Sequence, residues 1–120
     1  MPHIIIETSD NLAGRIDWQR CIPALHEDLA APGWCALSDL KSRVHGCRFT
    51  LCGNDPHTEQ IVATLLMTNP RSKTVQDAMA ATVLRHITAA INGAAIGNTQ
   101  ICVFFEYIPK SRYRRHDLAG

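Results

Sequence analysis

Four stretches of the chain arrange apolar and polar residues in the pattern of β-strands. The first covers about Pro2 to Thr8 and is rich in β-branched residues. The second is predicted from about Asp39 to Leu51, the third from about Glu59 to Thr68, and the fourth from Thr99 to Ile108. The third is apolar almost throughout, which is typical of a strand that is buried on both faces.

Between the first two strands, apolar residues follow the spacing of one helix face: Trp18, Ile22, Leu25 and Leu29. We expect Asp17 to cap this helix and the segment 31–33 to end it. Pro23 lies beyond the first turn, so it should kink the helix or delay its start.

A second amphipathic helix is predicted between the third and fourth strands. Thr74 and Asp77 have the spacing of a capping box, which places the start of this helix near Val75. Asn92 and Gly93 are expected to end it. The stripe that should face the core consists of Val75, Met79, Val83, Ile87 and Ile91.

The order strand, helix, strand thus occurs twice, in residues 1–53 and 57–108, ahead of a basic tail at 109–120. We predict one domain over residues 1–120, of the α/β (α+β) class, in which two consecutive βαβ units form a four-stranded sheet. Because such crossovers are right-handed, both helices should lie on one face. The other face is left without cover, and an uncovered apolar sheet indicates an oligomer.

The overall composition fits a globular protein. The 120 residues are 46% hydrophobic and 19% charged, with a formal net charge of +1. This balance gives no reason to expect nucleic acid or a membrane surface as a partner. No apolar run approaches the roughly 20 residues that cross a bilayer, and the first residues lack the features of a signal peptide. We therefore expect a cytoplasmic protein.

The five cysteines are scattered without CxxC spacing, which indicates reduced thiols and no disulfide framework. One group of side chains within 13 residues is capable of binding zinc: His45, Cys47, Cys52 and His57. Their spacing matches no common zinc pattern, and residues 53–56 are typical of a turn. We expect no metal here.

The amino-terminal strand carries the first candidate for chemistry, Pro2. If Met1 is removed, the ring nitrogen of Pro2 becomes a free secondary amine. Burial and nearby cations both disfavour the charged form of an amine, so its pKa should fall below that of an ordinary α-amino group. An amine that is neutral near working pH and held on a strand can act as a general base. The simpler interpretation is that Pro2 only opens a strand.

Cations are the second candidate feature. Lys41, Arg43 and His45 occupy alternate positions of the second predicted strand, so their side chains project from one face. Such a row is either a solvated strand face or a surface that binds anions. Arg71, ahead of the second helix, is a further cation.

Three segments resemble 5-carboxymethyl-2-hydroxymuconate Δ-isomerases: Pro2-His3-Ile4-Ile5-Ile6-Glu7 with Ser9-Asp10-Asn11, Ser42-Arg43-Val44-His45, and Arg71-Ser72. These enzymes belong to the tautomerase superfamily, together with 4-oxalocrotonate tautomerase and macrophage migration inhibitory factor. The similarity extends over nearly the whole chain in the order and length of its elements. It implies a tautomerase-like fold, a homotrimer and an isomerase that acts on a small carboxylate substrate without a cofactor.

The resemblance also implies roles for individual residues. The amino-terminal proline of the family falls on Pro2, the substrate-binding arginine of the second strand on Lys41, and the arginine ahead of the second helix on Arg71. Arg43 matches the next arginine on the same face. Lysine at position 41 keeps the positive charge but lacks the planar fork that holds a carboxylate with two hydrogen bonds.

The same roles follow from the chemistry of double-bond migration. One base of near-neutral pKa can remove a proton from one carbon and return it to another. The dienolate formed in between needs fixed positive partners, which Lys41, Arg43 and Arg71 would supply. Two alternatives stay open: another reaction of the superfamily, such as phenylpyruvate tautomerisation or dehalogenation, and a trimeric binding protein in which Pro2 is inert.

Overall fold

The computed structural model describes residues 1–120, with four strands and three helices. The strands are β1 (Pro2–Ser9), β2 (Lys41–Cys47), β3 (Glu59–Met67) and β4 (Thr99–Tyr107). The helices are α1 (Asp10–Arg15), α2 (Trp18–Ala30) and α3 (Lys73–Gly93). Short 3₁₀ turns cover Leu37–Asp39 and Lys110–Arg112.

The strands form one sheet in the order β2-β1-β3-β4. β1 is parallel to β2 and β3 is parallel to β4, while β1 and β3 meet in the centre as an antiparallel pair. Each strand–helix–strand unit therefore contributes one parallel pair. α2 and α3 contact each other and share one core with the sheet, so the predicted fold class, a four-stranded sheet with two long helices on one face, is confirmed.

Alternation along the strands separates the buried face from the open one. Ile4 and Ile6 of β1, and Ile61 and Leu65 of β3, have no exposed surface and pack against the helices. The helices contribute fully buried residues of their own: Leu25, Leu29, Met79, Val83 and Ile87. Burying each such side chain contributes about 1.5–3 kcal/mol, so this layer holds the sheet and helices together.

The opposite face of the sheet has no helix on it. Residues that are paired across neighbouring strands form rows on this face. One row contains His3, Lys41 and Leu66. The next contains Ile5, Arg43, Thr64 and Phe104. The Phe104 side chain is 55% exposed. β3, predicted to be buried on both faces, is fully buried only on the helix side, and its open side is half-buried in a single chain.

β2 is shorter than its sequence pattern predicts. It ends at Cys47, which pairs with Ser9, the last residue of β1, so no partner strand remains beyond that point. Phe49 and Leu51 continue the apolar alternation but are 79% and 44% exposed. Hydrogen-bonding partners, and not side-chain alternation, set the end of this strand.

The helix starts differ in part from expectation. Asp17 caps α2 as predicted, its Oδ1 accepting from the Arg20 amide at 3.2 Å, and Pro23 lies inside the helix without delaying its start. α3 begins at Lys73, two residues early, because Ser72 and not Thr74 is its cap. α1 lies between the first strand and the first predicted helix, and it was not predicted.

None of the three helices combines the length and the apolar character that spanning a membrane requires.

Candidate active site

The end of the sheet at which β1 begins gathers the predicted site residues. Pro2 is buried and pairs with Met67 across the antiparallel ladder. On the other side of β1, His3 pairs with Lys41, the first residue of β2. β1 thus places Pro2 on a central strand that has partners on both sides, which fixes the position of its nitrogen.

The amino terminus itself lies inside this cluster. The Met1 side chain is only 7% exposed, and its amine is 3.7 Å from Oδ2 of Asp39. Burial lowers the pKa of this amine below its ordinary value; the charges of Lys41 and Arg115 act in the same direction, while Asp39 opposes them.

Lys41 and Arg43 both project from the open face of the sheet near Pro2. The Lys41 ammonium donates a hydrogen bond to the backbone carbonyl of Asp39 at 2.7 Å. One guanidinium nitrogen of Arg43 lies 3.1 Å from Nδ1 of His3. His45, the third residue of the row, lies farther along β2 beside Glu7, away from Pro2.

Arg71 approaches from the other side, in the connection between β3 and α3. Its Nε and one Nη donate to the carbonyl of Trp34 at 3.2 and 2.9 Å, and the other Nη donates to the carbonyl of Asn69 at 2.9 Å. Burial raises the pKa of the neighbouring Cys35 thiol, and the charges of Arg71 and the amino terminus oppose that rise. Both positive charges, on Arg71 and on the amino terminus, therefore act on the Cys35 thiol.

His3 is a site residue that the sequence pattern did not single out. Burial lowers the pKa of its imidazole, and Arg43 and Lys41 add to the effect. Because a guanidinium can only donate, Nδ1 of His3 accepts and Nε2 carries the proton. That Nε2 is buried and has no hydrogen-bond partner, and the Tyr113 ring meets the imidazole edge-on at a centroid distance of 6.1 Å.

Two further charged residues were missed, Asp39 and Arg115. Arg115 donates to Asp39 at 3.1 Å and holds Asp117 with two bonds of 2.7 and 2.8 Å. The only sequence signal for Arg115 was the basic character of the tail, which carries no information about where the tail folds.

The four candidate zinc ligands do not form a site. No group of three or more His, Cys, Asp or Glu side chains in the chain is arranged to hold a metal ion. The Cys52 thiol is instead 3.8 Å from the side-chain amide of Gln60.

The two largest cavities lie away from Pro2. One, of about 520 Å³, is a groove between α2 and α3 near Cys21 and His86; the other, of about 400 Å³, lies on the open face beside Phe49. The Met1 side chain, directly before Pro2, is itself only 7% exposed.

Residues 2–107 match the family model of 5-carboxymethyl-2-hydroxymuconate isomerase. The chain belongs to this isomerase family. The resemblance noted in the sequence is thereby confirmed, and with it the assignment of the chain as an isomerase. A comparison with curated protein sequences found no match.

Several solved structures have a similar fold. A 5-carboxymethyl-2-hydroxymuconate isomerase from Deinococcus radiodurans R1 has a TM-score of 0.81 at 14% identity, covering 98% of this chain and 90% of that one. Pt0534 inactivated by 2-oxo-3-pentynoate has a TM-score of 0.75 at 11% identity, with coverages of 92% and 89%. A fused 4-OT wild-type symmetric trimer has a TM-score of 0.71 at 10% identity, with coverages of 91% and 87%.

Proposed function

We propose that this isomerase moves a double bond in an unsaturated keto or hydroxy di- or tricarboxylic acid of the 5-carboxymethyl-2-hydroxymuconate type, with Pro2 as general base and without a cofactor. Such a substrate belongs to aromatic catabolism, and we place the enzyme in the cytoplasm. The observation that carries the proposal is the environment of the amino terminus: the Met1 amine directly precedes a central strand, burial lowers its pKa, and the charges of Lys41 and Arg115 lower it further.

Removal of Met1 is the step that creates the base. It converts the amide nitrogen of Pro2 into a secondary amine, and it vacates the volume of a side chain that is 7% exposed. The substrate carbon would then lie where the Met1 side chain packs, next to the new amine. The neutral amine takes a proton from one substrate carbon and returns it to another, so that no other acid or base is needed.

The three predicted cations would divide the substrate's negative charge between them. Lys41 is the cation that acts most directly on the amine, so we assign it to the carboxylate or dienolate oxygen nearest the base. Arg43, bonded to His3, lies two residues farther along β2. Arg71 retains one free N–H on each terminal nitrogen after its bonds to Trp34 and Asn69, and these would reach a distal carboxylate.

Assembly as a homotrimer is part of the proposal. The open sheet face exposes Phe104 beside half-buried apolar residues, and the similar fused 4-OT is a symmetric trimer. Three copies around an axis would cover this face and enclose the space beside Pro2.

The lysine at position 41 supports a second candidate, another tautomerase-superfamily reaction such as that of a phenylpyruvate tautomerase or a dehalogenase. A lysine binds a carboxylate as a point charge, which suits a substrate with fewer carboxylates than 5-carboxymethyl-2-hydroxymuconate. Comparing kcat/KM for that compound and for phenylpyruvate distinguishes the two.

The test of Pro2 compares three preparations on one unsaturated keto acid: processed protein, Pro2→Ala and protein that retains Met1. The processed protein should show a rising limb of activity with pH, because the neutral amine is the active form. Its midpoint should lie below the ~7.7–8.0 of an ordinary α-amino group, since burial lowers the pKa of the Met1 amine at the same end of β1. Pro2→Ala keeps a primary amine and should lose part of kcat, within the ~10²–10⁴-fold typical of general-base catalysis. Retention of Met1 should abolish activity.

2-Oxo-3-pentynoate, which inactivated the similar Pt0534, gives an independent readout. Addition of the neutral Pro2 nitrogen to the conjugated alkyne forms one N–C bond, breaks one carbon–carbon π bond and moves the amine proton to the adjacent carbon. Peptide mass analysis should locate the adduct on Pro2 of the processed protein only. Equal turnover by all three preparations, or an adduct elsewhere, would remove Pro2 from the mechanism.

A further inference from the structure

We propose that Asp39 and Arg115 are positioning residues of this active site: Arg115, brought by the C-terminal tail, holds the Asp39 carboxylate beside the reactive amine and so balances the charge that the amine experiences. The inference rests on the proposed role of Pro2 and adds to it a pair of residues that touch neither substrate nor reacting atoms.

The pair is built around one carboxylate that faces two cations. Arg115 donates to Oδ1 of Asp39 at 3.1 Å, while Oδ2 of the same carboxylate faces the amino terminus at 3.7 Å. The distance refers to the Met1 amine; the Pro2 nitrogen is three covalent bonds away, within about 4 Å of it. Asp39 also accepts from Lys41 through its backbone carbonyl, so its position is fixed from two sides.

The tail that delivers Arg115 is held in place by its own contacts. The Ile108 amide donates to the Met67 carbonyl at 2.8 Å, which extends the β3–β4 pairing to the edge of the site. Tyr113 then covers His3, and Asp117 binds the guanidinium of Arg115 with two bonds. The family match ends at residue 107, so this arrangement belongs to the segment beyond it.

Burial is the largest influence on the pKa of the Met1 amine and lowers it. The neighbouring charges act with opposite signs: Asp39 favours the protonated form, and Lys41 and Arg115 favour the neutral form. The other titratable groups beside it, His3 and Cys35, are both uncharged near neutral pH, because burial lowers the pKa of the imidazole and raises that of the thiol. The protonation of the amine therefore depends on the balance between one anion and two cations.

This balance predicts opposite effects of two substitutions in the processed protein. Arg115→Gln removes a cation and leaves Asp39 unopposed, so the midpoint of amine titration should rise by roughly half a pH unit to one pH unit. Asp39→Asn removes the anion and leaves both cations, so the midpoint should fall by a similar amount. Arg115→Lys, which keeps the charge, should shift it less than Arg115→Gln.

The amine is titrated directly, through the pH dependence of its acetylation by acetic anhydride, followed by intact mass and by the mass of the amino-terminal peptide. This readout works whether or not the enzyme turns over. Asp117→Asn is the matched control: it makes the same charge change on the other partner of Arg115 and, since Asp117 does not act on the amine, it should leave the midpoint within the error of the method.

Shifts in opposite directions for Arg115→Gln and Asp39→Asn support the pair. Shifts in one direction, no shift, or an equal shift for Asp117→Asn would overturn it, because a merely structural tail would change activity and stability without moving the titration both ways. Failure of Pro2 as base is recognised separately, by unimpaired turnover of the Met1-retaining protein.

Discussion

At the scale of single residues, the proposed site gives one guanidinium, that of Arg71, two tasks. Three of its N–H groups tie the carbonyls of Trp34 and Asn69 together, and the remaining two are free to meet a ligand. An arginine used in this way presents its free edge in a fixed orientation, because the bonded edge is anchored to backbone. Preorganisation of this kind lowers the entropic cost of binding a carboxylate.

Arg71→Ala should therefore affect both substrate binding and stability. The substrate carboxylate is present in both the ground state and the transition state. Loss of its arginine partner should therefore raise KM more than it lowers kcat. The lost hydrogen bonds to Trp34 and Asn69 should reduce the free energy of unfolding by about 1–3 kcal/mol. Steady-state kinetics and urea denaturation measure the two effects.

Lys73→Ala is the matched control for Arg71→Ala, since it deletes a cation two residues away whose side chain is 86% exposed. It should change neither KM nor the unfolding free energy beyond about 0.5 kcal/mol. If Arg71→Ala loses stability while KM is unchanged, Arg71 is only a structural tie and leaves the proposed site.

Sequence reasoning reached the residues of this site unevenly. Pro2 was singled out by its place after Met1 and by the family resemblance, and Lys41 by that resemblance together with the alternation of β2. Asp39 and Arg115 are 76 residues apart, and nothing periodic connects them. The path of a tail outside regular structure depends on tertiary contacts such as Tyr113 on His3, which local pattern does not encode.

At the scale of elements, the ends of strands and helices were harder to predict than their centres. β2 was predicted too long because Phe49 and Leu51 continue its alternation, although β1 has already ended beside Cys47. α1 was missed because it is 6 residues long and buries only Leu12, too little for a helical stripe. For β2 the deciding factor was therefore a neighbouring strand, and for α1 it was the shortness of the segment.

The C-terminal end of α3 gives a prediction at this scale. Gly93 is the last helical residue, and the left-handed conformation that usually ends a helix falls on Ala95, at φ 53°. A left-handed conformation costs an L-residue about 1–2 kcal/mol, of which glycine's greater freedom in the unfolded chain offsets part. Ala95→Gly should therefore raise the free energy of unfolding by about 0.5–1 kcal/mol.

Ala94→Gly is the control for this substitution, because Ala94 has φ −96° and gains nothing from glycine. It should be neutral or destabilising. Urea denaturation of both variants at one protein concentration measures the difference, since the stability of an oligomer depends on concentration. Stabilisation by Ala94→Gly equal to that of Ala95→Gly would contradict a role for the left-handed residue.

At the scale of the whole molecule, one sheet has two faces of different character. The helix side is fully buried, whereas the open side carries cations at one end and apolar residues in its middle and toward β4. Lys41 and Arg43 lie beside the first residues of β1, so a copy that packs on the apolar part would also enclose the proposed base, Pro2. Assembly and catalysis would then depend on the same face.

A homotrimer is accordingly the last prediction. Sedimentation equilibrium at micromolar concentration should give three times the chain mass of 13.3 kDa. Phe104→Lys places a charge on the β4 side of the open face. Burying that charge in an interface has a desolvation cost larger than the stabilisation a surface ion pair provides, so the substitution should dissociate the trimer. Leu84→Lys is the control: Leu84 is 41% exposed on α3, on the helix layer and away from the open face, and its substitution should leave the trimer intact.

A monomeric parent protein would contradict the assembly, and dissociation by both substitutions would assign the contact to another surface. If Phe104→Lys dissociates the trimer, activity should be lost in parallel with the trimer as the protein is diluted. The reason is that a site partly formed by a neighbouring copy is incomplete once that copy dissociates.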